Sequence, residues 1–336
     1  MEGEEPVVLG AYIAASKKAK MDWNLVVNRL KDSHGVVVKD LDLDRPLEEQ
    51  GPFHFLFHKI TDELVRENTG EKHRTRIRNL EDYVKQHPEV IDLEPTLNQR
   101  GIMDRSKISA LLKDVDGSLP AELQVACPAY TVLEREEEDY SETLRKANLK
   151  FPLVAKTIQA CGNEDSHKIG IIFTEKGLHQ LSTPIMVQEY YNHNAIIFKV
   201  FMVDDYLHVV RRASLKNLDP SATENIVFNS QKPVPEELFD KDRDVQDKAA
   251  WPDPEPPVLH AVTAALQQHL GLHLLGVDMI RQVETGKLGI VDVNYFPSAY
   301  RLLLLLLFSI SLVYHVMLLV CCSVLLLPVF SPRLVC

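Results

Sequence analysis

The sequence predicts an α/β protein in which one parallel unit is followed by two α+β units. Three observations carry this. Strand-length apolar runs alternate with helix-like stretches through the N-terminal part, the pattern of a parallel sheet with crossover helices. A long hairpin pattern sits just past the middle of the chain, and two further apolar strands joined by a short polar turn follow an amphipathic helix. A length of 336 residues gives room for two or three domains.

In order, Val7 to Ile13 reads as a buried strand, followed by a helix around Trp23 to Leu30 that ends near Gly35. Val36 to Leu41 and Phe53 to Phe57 are the next strands, the latter entered through Gly51-Pro52. A basic helix at Arg74 to Lys85 and an apolar step at Val90 to Leu93 close a first domain, residues 1–98. Met103 to Leu112 and the acidic stretch Glu134 to Asn148 are expected helices, and Phe151 to Lys156, Lys168 to Phe173 and Ile185 to Tyr190 expected strands, of a central domain at 99–187. A third domain, 188–300, opens with the hairpin Ala195 to Val203, Asp204-Asp205, Tyr206 to Arg212. A Pro- and charge-rich loop spans 231–257, Val258 to Leu270 is an amphipathic helix stopped by Gly271, and strands Leu274 to Ile280 and Leu288 to Val293 flank the turn Glu284 to Lys287.

The chain carries 37 Lys+Arg against 48 Asp+Glu, a net charge of −11, which argues against nucleic acid as a bulk electrostatic partner. A small anion needs only a local cluster of cations and stays open. Cys127, Cys161, Cys321, Cys322 and Cys336 have no paired spacing, so neither a disulfide framework nor a zinc site is expected and a reducing compartment fits best. The acidic start Met1 to Glu5 is unlike a secretory signal. Phosphate-loop, dinucleotide, zinc-protease and nucleophile-elbow motifs are missing, so a bound nucleotide is held some other way.

The most informative polar positions interrupt apolar strands. Asp278 breaks Leu274 to Val277, and Asp292 and Asn294, two apart on a strand, share one face. If the strands pair through the 284–287 turn, Asp278 reaches that face, and two carboxylates with an amide oxygen suit Mg²⁺ shared with substrate phosphates. Strand-edge or turn-capping polarity is the plainer explanation. Lys156 and Lys199 are likewise embedded in apolar strands; each must snorkel or meet an anion, and together with the acidic set they point to phosphate transfer. Lys17-Lys18, His58-Lys59, Arg105, His167-Lys168, Arg211-Arg212 and Lys216 could form a positive funnel, although each alone reads as a surface charge.

Several ordered stretches resemble one family. They are His58-Lys59-Ile60-Thr61-Asp62, Asp104-Arg105-Ser106-Lys107, Gln188 to Asn194 running on to Phe198-Lys199-Val200-Phe201, Arg212 to Asn217, and Asp292-Val293-Asn294-Tyr295-Phe296-Pro297. From about Val8 to Tyr300 the chain resembles the inositol 1,3,4-trisphosphate 5/6-kinases, also called inositol-tetrakisphosphate 1-kinases, with Tyr295 to Ser298 closest to plant members. The resemblance implies an ATP-grasp fold whose two α+β domains clamp ATP while the N-terminal domain presents the inositol. It implies inositol phosphate contacts from Lys18, Lys59, His167, Lys199 and Asn294. It further implies ATP contacts from Arg105, Lys156, the strand and hinge Gln188, Glu189, Tyr190 through Lys199, and Ser214. Asp278, Asp292 and Asn294 would hold two Mg²⁺. An in-line attack by an inositol hydroxyl on ATP follows, by positioning and charge neutralisation rather than an assigned base, with His167 and Lys199 the nearest catalytic candidates. The expected protein is a cytoplasmic monomer.

After Tyr300 the resemblance stops. Leu302 to Pro332 contains no charged residue and opens with six leucines, long enough for a membrane helix between Arg301 and Arg333. An apolar helical tail at 301–336 reads as a translated non-coding stretch, a membrane anchor or a buried hairpin. Two other functions follow as alternatives to the kinase: a catalytically inactive, membrane-tethered inositol phosphate binder, and an ATP-grasp ligase.

Overall fold

The computed structural model describes residues 6–19, 22–159, 167–230 and 232–295; the apolar tail expected at 301–336 lies outside them. Among the described residues no helix is long and apolar enough to cross a membrane.

The N-terminal unit consists of β1 (Val8–Tyr12), α1 (Ala15–Lys18), α2 (Trp23–His34), β2 (Val37–Asp40), β3 (Phe55–His58), α3 (Thr61–Arg66), α4 (Glu71–Gln86) and β4 (Ile91–Asp92). Its four strands are parallel in the order β2-β1-β3-β4. Helix α2 buries Trp23, Val26 and Leu30, a stripe at helical spacing, and ends where Gly35 takes φ +65°, a left-handed cap that a side chain would strain. The strand order reverses between β1 and β3, so Lys18, at the end of α1, and Lys59, after β3, follow the carboxyl ends of the two strands that flank that switch point, where open α/β sheets bind ligands.

Next come α5 (Thr96–Gly101), α6 (Arg105–Ser118), β5 (Val125–Ala126), β6 (Tyr130–Leu133), α7 (Ser141–Lys146), β7 (Leu153–Thr157), β8 (Lys168–Ile172) and β9 (Ile185–Glu189). Then follow β10 (Ile196–Val203), β11 (Tyr206–Ala213), β12 (Ile226–Asn229), α8 (Pro256–Leu270), β13 (Leu274–Arg281) and β14 (Leu288–Tyr295). They build two five-stranded sheets, β12-β8-β7-β9-β6 and β11-β10-β13-β14-β5. The sheets do not follow a cut at 187/188: that point falls inside β9, β12 crosses back to pair with β8, and β5 adds in parallel to β14.

The helix expected over Glu134 to Asn148 forms only at Ser141–Lys146. Glu134 to Glu138 places like charges one helical turn apart, and Asp139 turns its carboxylate back on the Ser141 amide (2.7 Å), ending the acidic loop.

One apolar core runs through the N-terminal and C-terminal units. Ala11, Ile13, Trp23 and Phe57 join Phe198, Val200, Val277, Met279 and Val293, covered by Ile108, Leu112 and Val115 of α6 and Leu259, Val262 and Leu266 of α8. Because side chains alternate along a strand, Lys199, Asp278, Asp292 and Asn294 take the opposite face.

Candidate active site

Three charged residues stand in one row across three antiparallel strands. Lys199 on β10 is directly opposite Asp278 on β13, which is directly opposite Asp292 on β14. Lys199 Nζ donates to Asp278 Oδ2 at 3.1 Å and lies 2.7 Å from the buried Oδ1, so the ammonium straddles the carboxylate. Burial pushes the Asp278 carboxyl above the usual carboxylate range and Asp292 adds to this, while Lys199 and Lys156 oppose it. Just past this pair the register slips: Met279 faces Ile290, so β14 carries an extra residue, Val291, and a bulge sits beside the carboxylates. Asn294, opposite Gly276, is exposed on the same face.

Among the described residues no group of three or more His, Cys, Asp or Glu side chains forms a metal cluster. The set here is two carboxylates and an amide, all oxygen donors, with Asp278 buried and paired to Lys199, and carboxylate repulsion that a cation would relieve. That chemistry fits Mg²⁺.

The central sheet supplies cations to the same place. Burial pulls the Lys156 ammonium on β7 below its usual range and Arg105 lowers it further, whereas Asp292 and Asp278 pull it up, so these charges act on one another electrostatically. Arg105, first residue of α6, is held by Asp104, whose side chain caps the helix at Ser106 N and Lys107 N. Arg105 Nη1 donates to the carbonyls of Thr157 (2.7 Å) and Gln159 (2.8 Å), pinning the exit of β7. His167 lies close enough to Arg105 for that charge, after burial, to lower it below the usual histidine range.

The hinge after β9 is cross-braced rather than open. Gln188 is buried in β9 between Tyr130 and Val154. Glu189 accepts from the Ala129 amide (3.1 Å) and the Tyr191 hydroxyl (3.0 Å), and the Tyr190 hydroxyl donates to the Lys216 carbonyl (2.8 Å). Asn192 bonds Leu218 N (2.8 Å), and the Asn194 and Asn217 side chains bond each other (2.8 Å). His193 is buried, with Nδ1 2.7 Å from the Tyr191 carbonyl and Nε2 2.9 Å from Ser214 Oγ. A carbonyl only accepts, so Nδ1 carries the proton and Nε2 accepts from the Ser214 hydroxyl.

The N-terminal cations divide. Lys59 Nζ is 5.0 Å from the Tyr295 ring centre and 3.5 Å from the Tyr295 carbonyl, at the end of β14. Lys18 pairs with Asp40 at 2.6 Å and lies over Trp23. Two members of the expected funnel are structural instead. His58 is fully buried against Asp92 (3.0 Å). Arg211 is buried and donates to Asp253 (2.8 Å) and to the Val245 and Asp247 carbonyls, because alternation turns it to the core side while Arg212 stays exposed.

The sequence profile of the inositol 1,3,4-trisphosphate 5/6-kinase ATP-grasp domain matches residues 120–304, and that of the family's pre-ATP-grasp domain matches residues 8–98. The chain belongs to this family. It is 32% identical over 296 residues to the inositol-tetrakisphosphate 1-kinase of Xenopus laevis, covering 86% of this chain and 74% of that one. It is also 32% identical over 297 residues to inositol-tetrakisphosphate 1-kinase 4 of Glycine max, covering 85% and 82%. Among solved structures, a RiPP-associated ATP-grasp ligase of Chryseobacterium gregarium aligns with a TM-score of 0.55 at 15% identity over 98% of both chains. The macrocyclase MdnC of Microcystis aeruginosa aligns at 0.52 and 14% over 94% of this chain and 99% of its own. These likenesses establish the ATP-grasp fold.

For this member of the 5/6-kinase family, three residues, two beside the site and one buried behind it at the start of β13, escape sequence reasoning about roles. His193 orients Ser214, Tyr295 meets Lys59, and Glu94, almost completely buried, accepts from the His273 amide at 3.1 Å while its other oxygen has no hydrogen-bond partner. A histidine between two asparagines, or an aromatic next to a metal-type asparagine, was the available signal.

Proposed function

We propose that this protein is an ATP- and Mg²⁺-dependent inositol polyphosphate kinase. The γ-phosphate of ATP goes to the 5- or 6-hydroxyl of inositol 1,3,4-trisphosphate and the 1-hydroxyl of inositol 3,4,5,6-tetrakisphosphate. The observation that carries the reading is the Lys199–Asp278–Asp292 row facing Lys156 across the two sheets, in a chain of this family. The Xenopus laevis and Glycine max relatives named inositol-tetrakisphosphate 1-kinase support the choice of acceptor.

Each residue then has a task. Asp278, Asp292 and Asn294 hold two Mg²⁺, which when bound supply neutralising charge for the β- and γ-phosphates. Lys156 and Arg105 grip ATP phosphates from the central sheet, while Gln188, Glu189, Tyr190 and the hinge through Lys199, with Ser214, seat the nucleoside. Lys18 and Lys59, at the switch point of the parallel sheet, and His167, Lys199 and Asn294 hold the inositol phosphates. His167 serves as a hydrogen-bond donor to phosphate. No residue need take the hydroxyl proton early, because phosphoryl transfer asks mainly for alignment and electrostatics. The enzyme acts as a cytoplasmic monomer.

The test is transfer of label from γ-labelled ATP. Label on the inositol ring supports the kinase. Free phosphate with a condensed product indicates an ATP-grasp ligase, and inositol phosphate binding without turnover indicates an inactive binder.

A further inference from the structure

We propose that Tyr295 is a positioning residue that registers the inositol-gripping loop of the N-terminal sheet against the metal strand. The inference rests on the reading of Lys59 as an inositol phosphate contact.

Tyr295 is the last residue of β14, three positions after Asp292 and next to Asn294, and it is buried. It makes three contacts with His58, the last residue of β3, and with Lys59, which opens the following loop. Its hydroxyl donates to the His58 carbonyl at 2.8 Å, its ring lies 5.0 Å from Lys59 Nζ, and its carbonyl lies 3.5 Å from the same nitrogen. A cation over an aromatic face is attracted by the ring quadrupole, so ring and hydroxyl act on adjacent residues of one loop.

The loop is itself fixed from the other side. Gln99 Nε2 donates to the same His58 carbonyl at 3.0 Å, and Gln99 Oε1 accepts from the Ile60 amide at 3.2 Å. The His58 ring is tied to Asp92 at 3.0 Å. Lys59 therefore sits on a backbone held rigidly within the N-terminal unit, and Tyr295 connects that rigid piece to the strand bearing Asp292 and Asn294. An inositol phosphate gripped at Lys59 would thereby be set in register with Asp292 and Asn294, which would hold ions that neutralise the ATP phosphates, the kind of alignment on which transfer rates depend steeply.

The test is calorimetric and needs no turnover: dissociation constants for inositol 1,3,4-trisphosphate in the presence of ADP and Mg²⁺, and for ADP, in the full chain. Tyr295→Phe keeps the ring and should weaken inositol phosphate binding about fivefold, the weight of one hydrogen bond. Tyr295→Leu removes both contacts and should weaken it further, with ADP binding unchanged in both. In the double variant with Lys59→Ala the losses should be less than additive, since Tyr295 acts through that loop. A merely structural tyrosine would lower the melting temperature of Tyr295→Phe without separating the two ligands. Additive losses, or Tyr295→Phe binding like wild type while Lys59→Ala is impaired, overturn the positioning role. Undiminished binding by Lys59→Ala instead contradicts the site reading itself.

Discussion

Lys199 and Asp278 form an ion pair across β10 and β13, with Nζ 2.7 Å from Oδ1, and both side chains are largely buried. The pair gives the acidic row a counter-ion before any metal arrives. Removing the lysine leaves a buried carboxylate without its partner, so Lys199→Met should lower unfolding stability by about 3 kcal/mol. Mg²⁺ with ADP should restore part of the loss, by supplying charge at the same place. Denaturant unfolding with and without Mg²⁺–ADP checks both statements.

Asp292 faces Asp278 and shares its face with Asn294. Asp292→Ala should abolish turnover while inositol phosphate affinity stays within about twofold of wild type, since truncating a metal-type ligand removes transition-state charge stabilisation rather than the phosphate grip. Paired kinetics and calorimetry measure the split; retained turnover removes the metal assignment.

Glu94 gives a pH signature. Burial raises its carboxyl well above the usual range and Asp92 adds to this, while the His273 and Leu274 amides offset part of it. A folded-state value above the unfolded one means the folded protein holds a proton the unfolded chain releases. Stability from this group is complete below the unfolded value, near 4.5, and is lost as pH rises toward the folded value. Glu94→Gln stays neutral throughout, so its melting temperature should gain on wild type steadily from pH 5 to pH 8. A constant difference across that range contradicts the protonated, buried acid.

Much of the site could be read from alternation alone. Asp278, Asp292 and Asn294 each break an apolar strand, and a period of two puts the last two on one face whatever else the chain does. The 284–287 turn then brings Asp278 opposite Asp292, as the register shows. What alternation cannot carry is the slip at Val291, which changes the facing of everything after Ile290, or a strand such as Ile226–Asn229 whose partner is in another unit. Arg211 and Arg212 look equivalent as a dipeptide; only the sheet decides that one is a buried clamp on the 245–253 loop and the other exposed. Lys59 and Tyr295 are too far apart in the chain for any local pattern to pair them.

The hinge makes a further prediction. With Nδ1–H spent on the Tyr191 carbonyl, His193 Nε2 needs the Ser214 hydroxyl as donor, and burial keeps the ring neutral by pulling it below the usual histidine range. Ser214→Ala leaves that nitrogen unpaired, a loss of about 1–2 kcal/mol of stability. It should raise the KM for ATP several-fold more than that for the inositol phosphate. Equal effects on both substrates would place Ser214 away from the nucleotide.

The most direct test of the two-sheet phosphoryl-transfer site is anomalous diffraction from crystals grown with Mn²⁺ and a non-hydrolysable ATP analogue. The account predicts manganese peaks bound by Asp278, Asp292 and Asn294, with the analogue's phosphates between that row and Lys156. Nucleotide bound elsewhere, or those oxygens bare of metal at saturating Mn²⁺, would contradict it.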